Sequence, residues 1–398
     1  MRRKTIGQDR IVILDGARTP IGSFGGRFKE VPAHQLGAAA ARAAIERSGV
    51  SAENIQAAVV GCVGQVGADA YNARRVAIEA GLPLNVPAHS VNRQCGSGLQ
   101  AIWSAAMEMQ WSGLDFTLAA GNESMTRMPF YDFNARNGYK LGDHRLVDGT
   151  VMMLTDPFHD ILMGVTAENV AAKYGISRAE QDAFALESQR RAATPEAKAV
   201  FAEEIVTVHG DSPRPWTVGE DEHPRPDTSR EALAGLRPAF APDGTVTAGN
   251  ASGINDGAAA VVLARESAAT ERGLTSLVSL EAVATAGIEP ELMGYAPVPA
   301  LAALFAKTGT SPSDIDTIEL NEAFASQAVA VIRDAKLDPA RVNPYGGAIA
   351  LGHPVGATGT ILALRVAKDL VRRDLELGIV TMCIGGGQAL AALFRRVA

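Results

Sequence analysis

The chain has 398 residues, room for two or three ordinary domains, and 47% hydrophobic against 20% charged residues is enough to bury large cores. A formal net charge of −7, without a basic stripe interleaved with aromatics or zinc-finger spacing, argues against a nucleic-acid partner. The basic start MRRKTIGQDR leads into an apolar run, 11–14, far too short for a signal peptide or a membrane span, so a soluble cytoplasmic protein is expected.

In chain order, IVILDGART reads as a buried strand entering a turn, and residues 36–49 as a helix closed by a glycine C-cap. AAVVGCVGQ reads as a strand ending in glycines. VNRQCGSGLQAI, residues 91–102, then opens a helix that runs on through Trp111, and DFTLAAGNES is the next strand. With 40 glycines and only 5% aromatic residues, these elements are expected to pack closely through small side chains. From 125 to 248 the texture turns richer in charge and proline, which predicts an inserted segment. One clear helix lies in it, ISRAEQDAFALESQRRAAT, with Ser177 and Glu180 spaced as an N-terminal cap, and 211–229 reads as a loop.

Regular α/β patterning resumes at GAAAVVLARESAATERG. DTIELNEAF, NPYGGAIALGHPVGATGTILALRVAKDL and GIVTMCIGGGQALAALF then repeat the order strand, glycine-rich loop, helix and strand of the first third. The chain is therefore read as α/β, with two similar halves: 1–124 with 249–272, and 273–398, around the insertion at 125–248.

Ligands of α/β sheets bind at strand ends, and four motifs fall there. Cys95 lies at a helix start, where free backbone N–H groups and the helix dipole favour a thiolate. Asn321 and Glu322 end a strand, and His353 sits on a glycine- and proline-framed loop, able to serve as base toward a cysteine. Cys383 precedes a glycine run whose N–H groups suit an oxyanion. The three cysteines, Cys62, Cys95 and Cys383, have no CxxC spacing, so neither a disulfide framework nor a metal site is expected; Cys62 is assigned to the core. The histidines at 34, 89, 144, 159, 209 and 223 show no metal-ligand spacing.

VNRQCGSGLQAI, AAGNESMTRMP, ILMGVTAENVA, GTVTAGNASGINDGAAA, NEAFASQA, GGAIALGHPVGATG and TMCIGGGQALA resemble, in order and over essentially the whole chain, the signatures of the thiolase family. The resemblance implies the thiolase fold, two α/β halves in an αβαβα layering with an inserted loop domain. It implies acyl transfer between coenzyme A thioesters, with no cofactor beyond these substrates: acetyl-CoA, acyl-CoA and 3-oxoacyl-CoA. By resemblance Cys95 carries the acyl group as a thioester, His353 accepts its proton, and Cys383 exchanges a proton with the α-carbon of acetyl-CoA. One oxyanion would face His353 and a water held by Asn321; the other would face the N–H groups of Cys95 and Gly385. Ser252 would contact the pantetheine arm, Arg225 the adenosine end, and Met163 would narrow the acyl pocket. Leu162 and Tyr345 replace the histidine and asparagine common in short-chain relatives, which bears on acyl preference. A homotetramer is the family habit. The alternative, a catalytically silent acyl-CoA- or lipid-binding protein of the same fold, predicts loss of Cys95, His353, Cys383 or Asn321; all four are present. A nucleotide-dependent oxidoreductase lacks its glycine fingerprint here.

Overall fold

The computed structural model describes residues 9–210 and 215–397, so most of the basic start and 211–214 of the proline-rich tract lie outside the described residues. Strand β1 (Ile11–Arg18) is followed by helix α1 (Ala33–Ser48), strand β2 (Ala57–Gly61), helix α2 (Asn72–Glu79), strand β3 (Ala88–Val91), helix α3 (Ser97–Ser112) and strand β4 (Phe116–Ser124). Gly49 and Gly113 close α1 and α3 in the left-handed conformation, as a glycine after a helix should. After β4 the chain leaves the sheet and forms helices α4 (Met163–Tyr174), α5 (Arg178–Ala192) and α6 (Pro195–Glu204), then returns as strand β5 (Asn255–Arg265). The second half follows as β6 (Val278–Gly287), α7 (Pro297–Thr308), β7 (Thr317–Leu320), α8 (Ala325–Asp334), α9 (Thr358–Arg372), β8 (Leu377–Ile384) and β9 (Gln388–Arg396).

The strand order is β7-β8-β9-β6-β1-β5-β4-β2-β3. Two copies of one ladder meet in it. In the first half β2 runs parallel to β3 and β4, and β5 is antiparallel to β4 and β1. In the second, β7 runs parallel to β8, and β9 is antiparallel to β8 and β6. A lone parallel bridge from Ile318 to Val342 stands where β3 stands in the first half. The seam between the copies is narrow: β1 and β6 share only the pairs Val12↔Ser279 and Ile13↔Val278.

Alternation along the strands sorts the core into layers. Val12 and Leu14 of β1, with Val60, Leu118 and Val262, face α1 and α2, whereas Ile11, Ile13, Val59, Val261 and Leu263 face α3 and α9. Helices α3 and α9 lie together between the two ladders, burying Leu99, Ile102 and Met109 against Leu362, Val366 and Leu370. On the far side, Leu301 and Leu304 of α7 and Val331 of α8 cover Ile318, Ile379 and Ala391. The αβαβα order follows from these three cores, and every residue of β5 and β8 is buried, as central strands covered on both faces must be.

The excursion departs and returns at one point, since Ser124 at the end of β4 pairs with Asp256 at the start of β5. Its expected helix is present as α5, with the reciprocal Ser177–Glu180 cap. Two helices beside it, α4 and α6, and a short hairpin pairing Val208–Gly210 with Trp216–Val218 correct the sparser reading; the tract expected to be all loop contains the second strand of that hairpin. A buried ionic cluster fastens the excursion to the sheets. Glu204 of α6 accepts from Arg18 Nε of β1 at 2.7 Å and from Arg365 Nε and Nη2 of α9 at 3.0 and 2.9 Å, while Asp221 takes Arg18 Nη1 at 2.7 Å. Both arginines hold the Glu204 carboxyl down to about 2 against the upward push of its burial.

Candidate active site

Helices α3 and α9 begin side by side because glycine lets them. A Cβ on Gly98 would lie 2.7 Å from Thr360 N, and one on Gly359 would lie 2.3 Å from Leu99 N, so each helix start occupies the space a side chain on the other would need. The turn that precedes α3 carries Cys95, and the loop that precedes α9 carries His353.

The Cys95 turn is held from both sides. Asn92 Oδ1 accepts from Gln94 N at 3.0 Å, Ser97 Oγ accepts from Arg93 N at 2.9 Å and donates to Gln94 O at 2.6 Å, and Gln94 sits at a φ of 45°, a left-handed conformation uncommon for a residue with a side chain. Such local strain next to a candidate nucleophile is where one expects it. The backbone N–H groups of Gly385 and of Cys95 itself lie toward the sulfur and lower its pKa, but burial outweighs them and pushes the thiol up to about 11. The expectation of a resting thiolate at the helix start is therefore corrected: desolvation beats the helix terminus, and Cys95 rests as a thiol that needs a base.

His353 supplies one. Its backbone N–H donates to Asn255 Oδ1 at 2.9 Å, and its Nδ1 lies 2.6 Å from Thr358 Oγ1. Thr358 Oγ1 also reaches Pro354 O at 3.0 Å, and a hydroxyl that donates there accepts from the ring, the arrangement in which Nδ1 carries the proton. Nε2 is left with its lone pair, 3.4 Å from Asn321 Nδ2, and burial pushes the imidazole down to about 4, keeping it neutral.

Asn321 follows the end of β7 and donates its N–H to Thr381 O at 3.0 Å; its Oδ1 is buried without a protein partner among the described residues. Glu322 ties the second half's loop to helix α5 of the excursion, accepting from Asn343 Nδ2 and Ser188 Oγ at 2.7 Å each. Cys383, near the end of β8, is fully buried with Met163, Met293, Ala323 and Phe324, and its thiol pKa is raised by burial and further by the nearby Cys95.

Cys95, His353, Ser252 and Met163 line one apolar cavity of about 260 Å³, and the four residues packed on Cys383 belong to its wall, so Cys383 lies directly behind that wall. Leu162 lines it too. Tyr345 does not: its hydroxyl donates to Asp369 Oδ1 at 2.6 Å, which removes it from any direct part in acyl preference. Arg225 lines a separate cavity of about 300 Å³ with His223 and Gln189. Cys62 is buried beside Glu123, its sulfur 3.8 Å from Oε1. Among the described residues no cluster of His, Cys, Asp or Glu could hold a metal ion, and no helix is long and apolar enough to cross a membrane.

Thr358 and Asn255, which set the ring's tautomer and place, escaped the sequence reading. Thr358 stands five residues after His353, a spacing that would have flagged it as a neighbour across the turn.

Residues 11–267 match the family description "Thiolase, N-terminal domain" and residues 274–396 match "Thiolase, C-terminal domain". The chain is 47% identical to beta-ketothiolase BktB of Cupriavidus necator over 97% of its own length and 99% of the relative's. It is 44% identical to an acetyl-CoA acetyltransferase of Paracoccus denitrificans, again over 97% and 99%. Its fold superposes on the crystal structure of Bacillus anthracis acetyl-CoA acetyltransferase with a TM-score of 0.96 at 39% identity, covering 99% of this chain and 100% of that one. Human mitochondrial 3-ketoacyl-CoA thiolase in complex with CoA gives 0.94 at 39% identity over 98% of each chain. The two family models between them span nearly the whole chain, and relatives 44–47% identical over 97% of it agree: the chain belongs to the thiolase family.

Proposed function

We propose that the protein catalyses reversible acyl transfer between coenzyme A thioesters, joining an acyl group to acetyl-CoA or cleaving a 3-oxoacyl-CoA with free coenzyme A. The observation that carries this is the neutral His353 imidazole, its Nε2 beside Asn321 Nδ2, at the cavity that also holds Cys95. In the acylation step Nε2 takes the Cys95 proton as sulfur attacks the thioester carbonyl; the tetrahedral oxyanion meets the N–H groups of Cys95 and Gly385; coenzyme A then leaves as a thiol with the proton from His353. A high thiol pKa suits a step in which thiolate exists only while attacking or leaving.

In the carbon–carbon step Cys383 gives its own proton to His353 and, as thiolate, takes one from the α-carbon of acetyl-CoA. The enolate oxygen is stabilised by His353 and by a water held on Asn321 Oδ1, unpartnered among the described residues; the enolate carbon attacks the acyl group on Cys95, whose sulfur leaves and takes the proton back from His353. We read Ser252, in the Cys95 cavity, as a contact of the pantetheine arm and Arg225, in its separate cavity, as one of the adenosine end. The chemistry so written uses these side chains, two backbone N–H groups, a water and the thioesters, with no cofactor besides. The exposed edge of β3, with Trp111, Phe130 and Phe133 also exposed, supports self-association, which we read as a homotetramer in a reducing cytoplasm.

The test is a spectroscopic thiolysis assay with acetoacetyl-CoA and longer 3-oxoacyl-CoA substrates. Wild type is expected to cleave and Cys95→Ala to be inert; a folded wild type that cleaves no chain length would end this reading. Cys383→Ala is expected to be acylated on Cys95 by acetyl-CoA yet form no carbon–carbon bond, and loss of acylation there would reverse the division of roles.

A further inference from the structure

Behind the Cys95 cavity lies a buried carboxylate that the proposed acyl-transfer steps leave without a role. Glu123, near the end of β4, is fully buried and lines no part of the cavity wall. Its oxygens accept from three backbone N–H groups: Oε1 from Gly64 at 2.9 Å, and Oε2 from Val63 at 3.0 Å and Gly356 at 3.1 Å. The Cys62 sulfur at 3.8 Å completes the set, and among the described residues no Arg, Lys or His is paired with it. A carboxylate buried without a cation is costly, and charge-assisted bonds from two loops offset that cost.

The two loops belong to different halves. Val63 and Gly64 follow β2; Gly356 stands three residues after His353, and Val355 between them lines the Cys95 cavity. The carbonyl of Gly356 is fixed as well. A Cβ on Gly121 of β4 would lie 2.3 Å from it, and one on Gly98, three residues after Cys95, would lie 3.0 Å away. With its N–H on Glu123, and space for a Cβ only 2.7 Å from Oε2, Gly356 is clamped between β4 and the start of α3.

We infer that Glu123 is a positioning residue for the acylation step, its carboxylate holding the His353 loop in the place from which the ring reaches the Cys95 proton. The inference rests on the thiolase reading, and its test separates the two. The same negative charge acts on Cys95 and disfavours its thiolate, so the sulfur keeps its proton until His353 takes it. Holding the base and holding the thiol protonated are thus two effects of one buried group, and they can be pulled apart.

The measurements are kcat and KM for thiolysis of acetoacetyl-CoA and the rate of iodoacetamide alkylation of Cys95, read on its peptide by mass spectrometry, for wild type, Glu123→Gln and Glu123→Asp. Burial pushes the Glu123 carboxyl up to about 7, so at about pH 8.5 the carboxylate prevails in wild type. Glutamine keeps the shape and drops the charge; aspartate keeps the charge and falls short of Gly356. Both are expected to lower kcat about ten- to hundredfold, the scale of hydrogen bonds to a charged group, with KM within about twofold because neither side chain touches substrate. Alkylation of Cys95 is expected to rise about threefold or more in Glu123→Gln, where a charge is gone from a site closed to water, and to stay at the wild-type rate in Glu123→Asp. A kcat near wild type, a loss carried by KM, or alkylation that does not separate the two variants overturns the inference, the last because loss of packing would then be the whole effect. Should one variant not fold, the other decides against wild type on the same expected values. Failure of wild type to cleave acetoacetyl-CoA would instead strike the underlying function and leave the alkylation comparison standing.

Discussion

The two halves share a ladder and differ in what they hang on it. Between β4 and β5 the first half inserts residues 125–254, with α4, α5 and α6; between β8 and β9 the second half has only Gly385–Gly387. At the matching helix starts the first half presents Cys95 and the second presents His353. The duplicated scaffold thus sets distances, and the asymmetry supplies the chemistry: one connection builds cavity walls from side chains, and its counterpart offers bare backbone N–H groups to the same sulfur.

Removing the second half's contribution has the largest expected effect. His353→Ala takes away a positioned base, and the acylation rate of Cys95 should fall by about 10²–10⁴-fold in stopped-flow measurement. Because the buried ring stays neutral down to about 4, the wild-type rate should hold as pH drops through 6.5 and decline only on approach to pH 4; a decline centred at 6.5 or above would contradict its burial.

Unfastening the excursion tests whether its walls depend on the ladder beneath. Glu204→Gln leaves Arg18 and Arg365 buried without their shared carboxylate and should cost about 3–5 kcal/mol in denaturant unfolding. The Glu204 carboxyl is depressed in the fold, so its stabilisation is complete above its ordinary range near pH 4.5 and is lost as pH falls toward 2. A variant as stable as wild type would mean that apolar packing alone holds α6. The smallest effect is expected from Thr358→Val, which frees the His353 tautomer. One net hydrogen bond is worth about 0.5–1.5 kcal/mol, so kcat should fall by roughly two- to tenfold with KM little changed. An unchanged kcat would show that the ring needs no such anchor.

Strand and helix starts with strong local signals were legible in the sequence: the apolar runs of β1 and β8, the glycine that closes α1, the Ser177 cap of α5. Helix α4 begins at Met163 with no side-chain cap, so nothing local announces it. Helix α6 has its signal, Thr194 as cap and Pro195 in the first turn, but that threonine reads equally as the tail of the preceding helix. In the site, residue type and placement at strand ends singled out Cys95, Asn321, His353 and Cys383, and the family motifs implied Ser252, Met163, Arg225 and Gly385. Protonation was another matter. Whether Cys95 rests as thiol or thiolate depends on how much water the folded cavity excludes, and the His353 tautomer depends on a hydroxyl that also reaches Pro354 O; both are properties of three-dimensional neighbours.

The place of β1 at the centre of the ladder has a consequence for synthesis on the ribosome. Its partner Arg265 lies far down the chain from Ile11, and the next neighbour, β6, is later still. At about 5–20 residues per second, the apolar segment IVIL emerges roughly 13–50 s before the strand that will cover its edge exists. Through that interval the nascent chain carries the segment as an unpaired, aggregation-prone strand whose edges find cover only once β5 and β6 have been made.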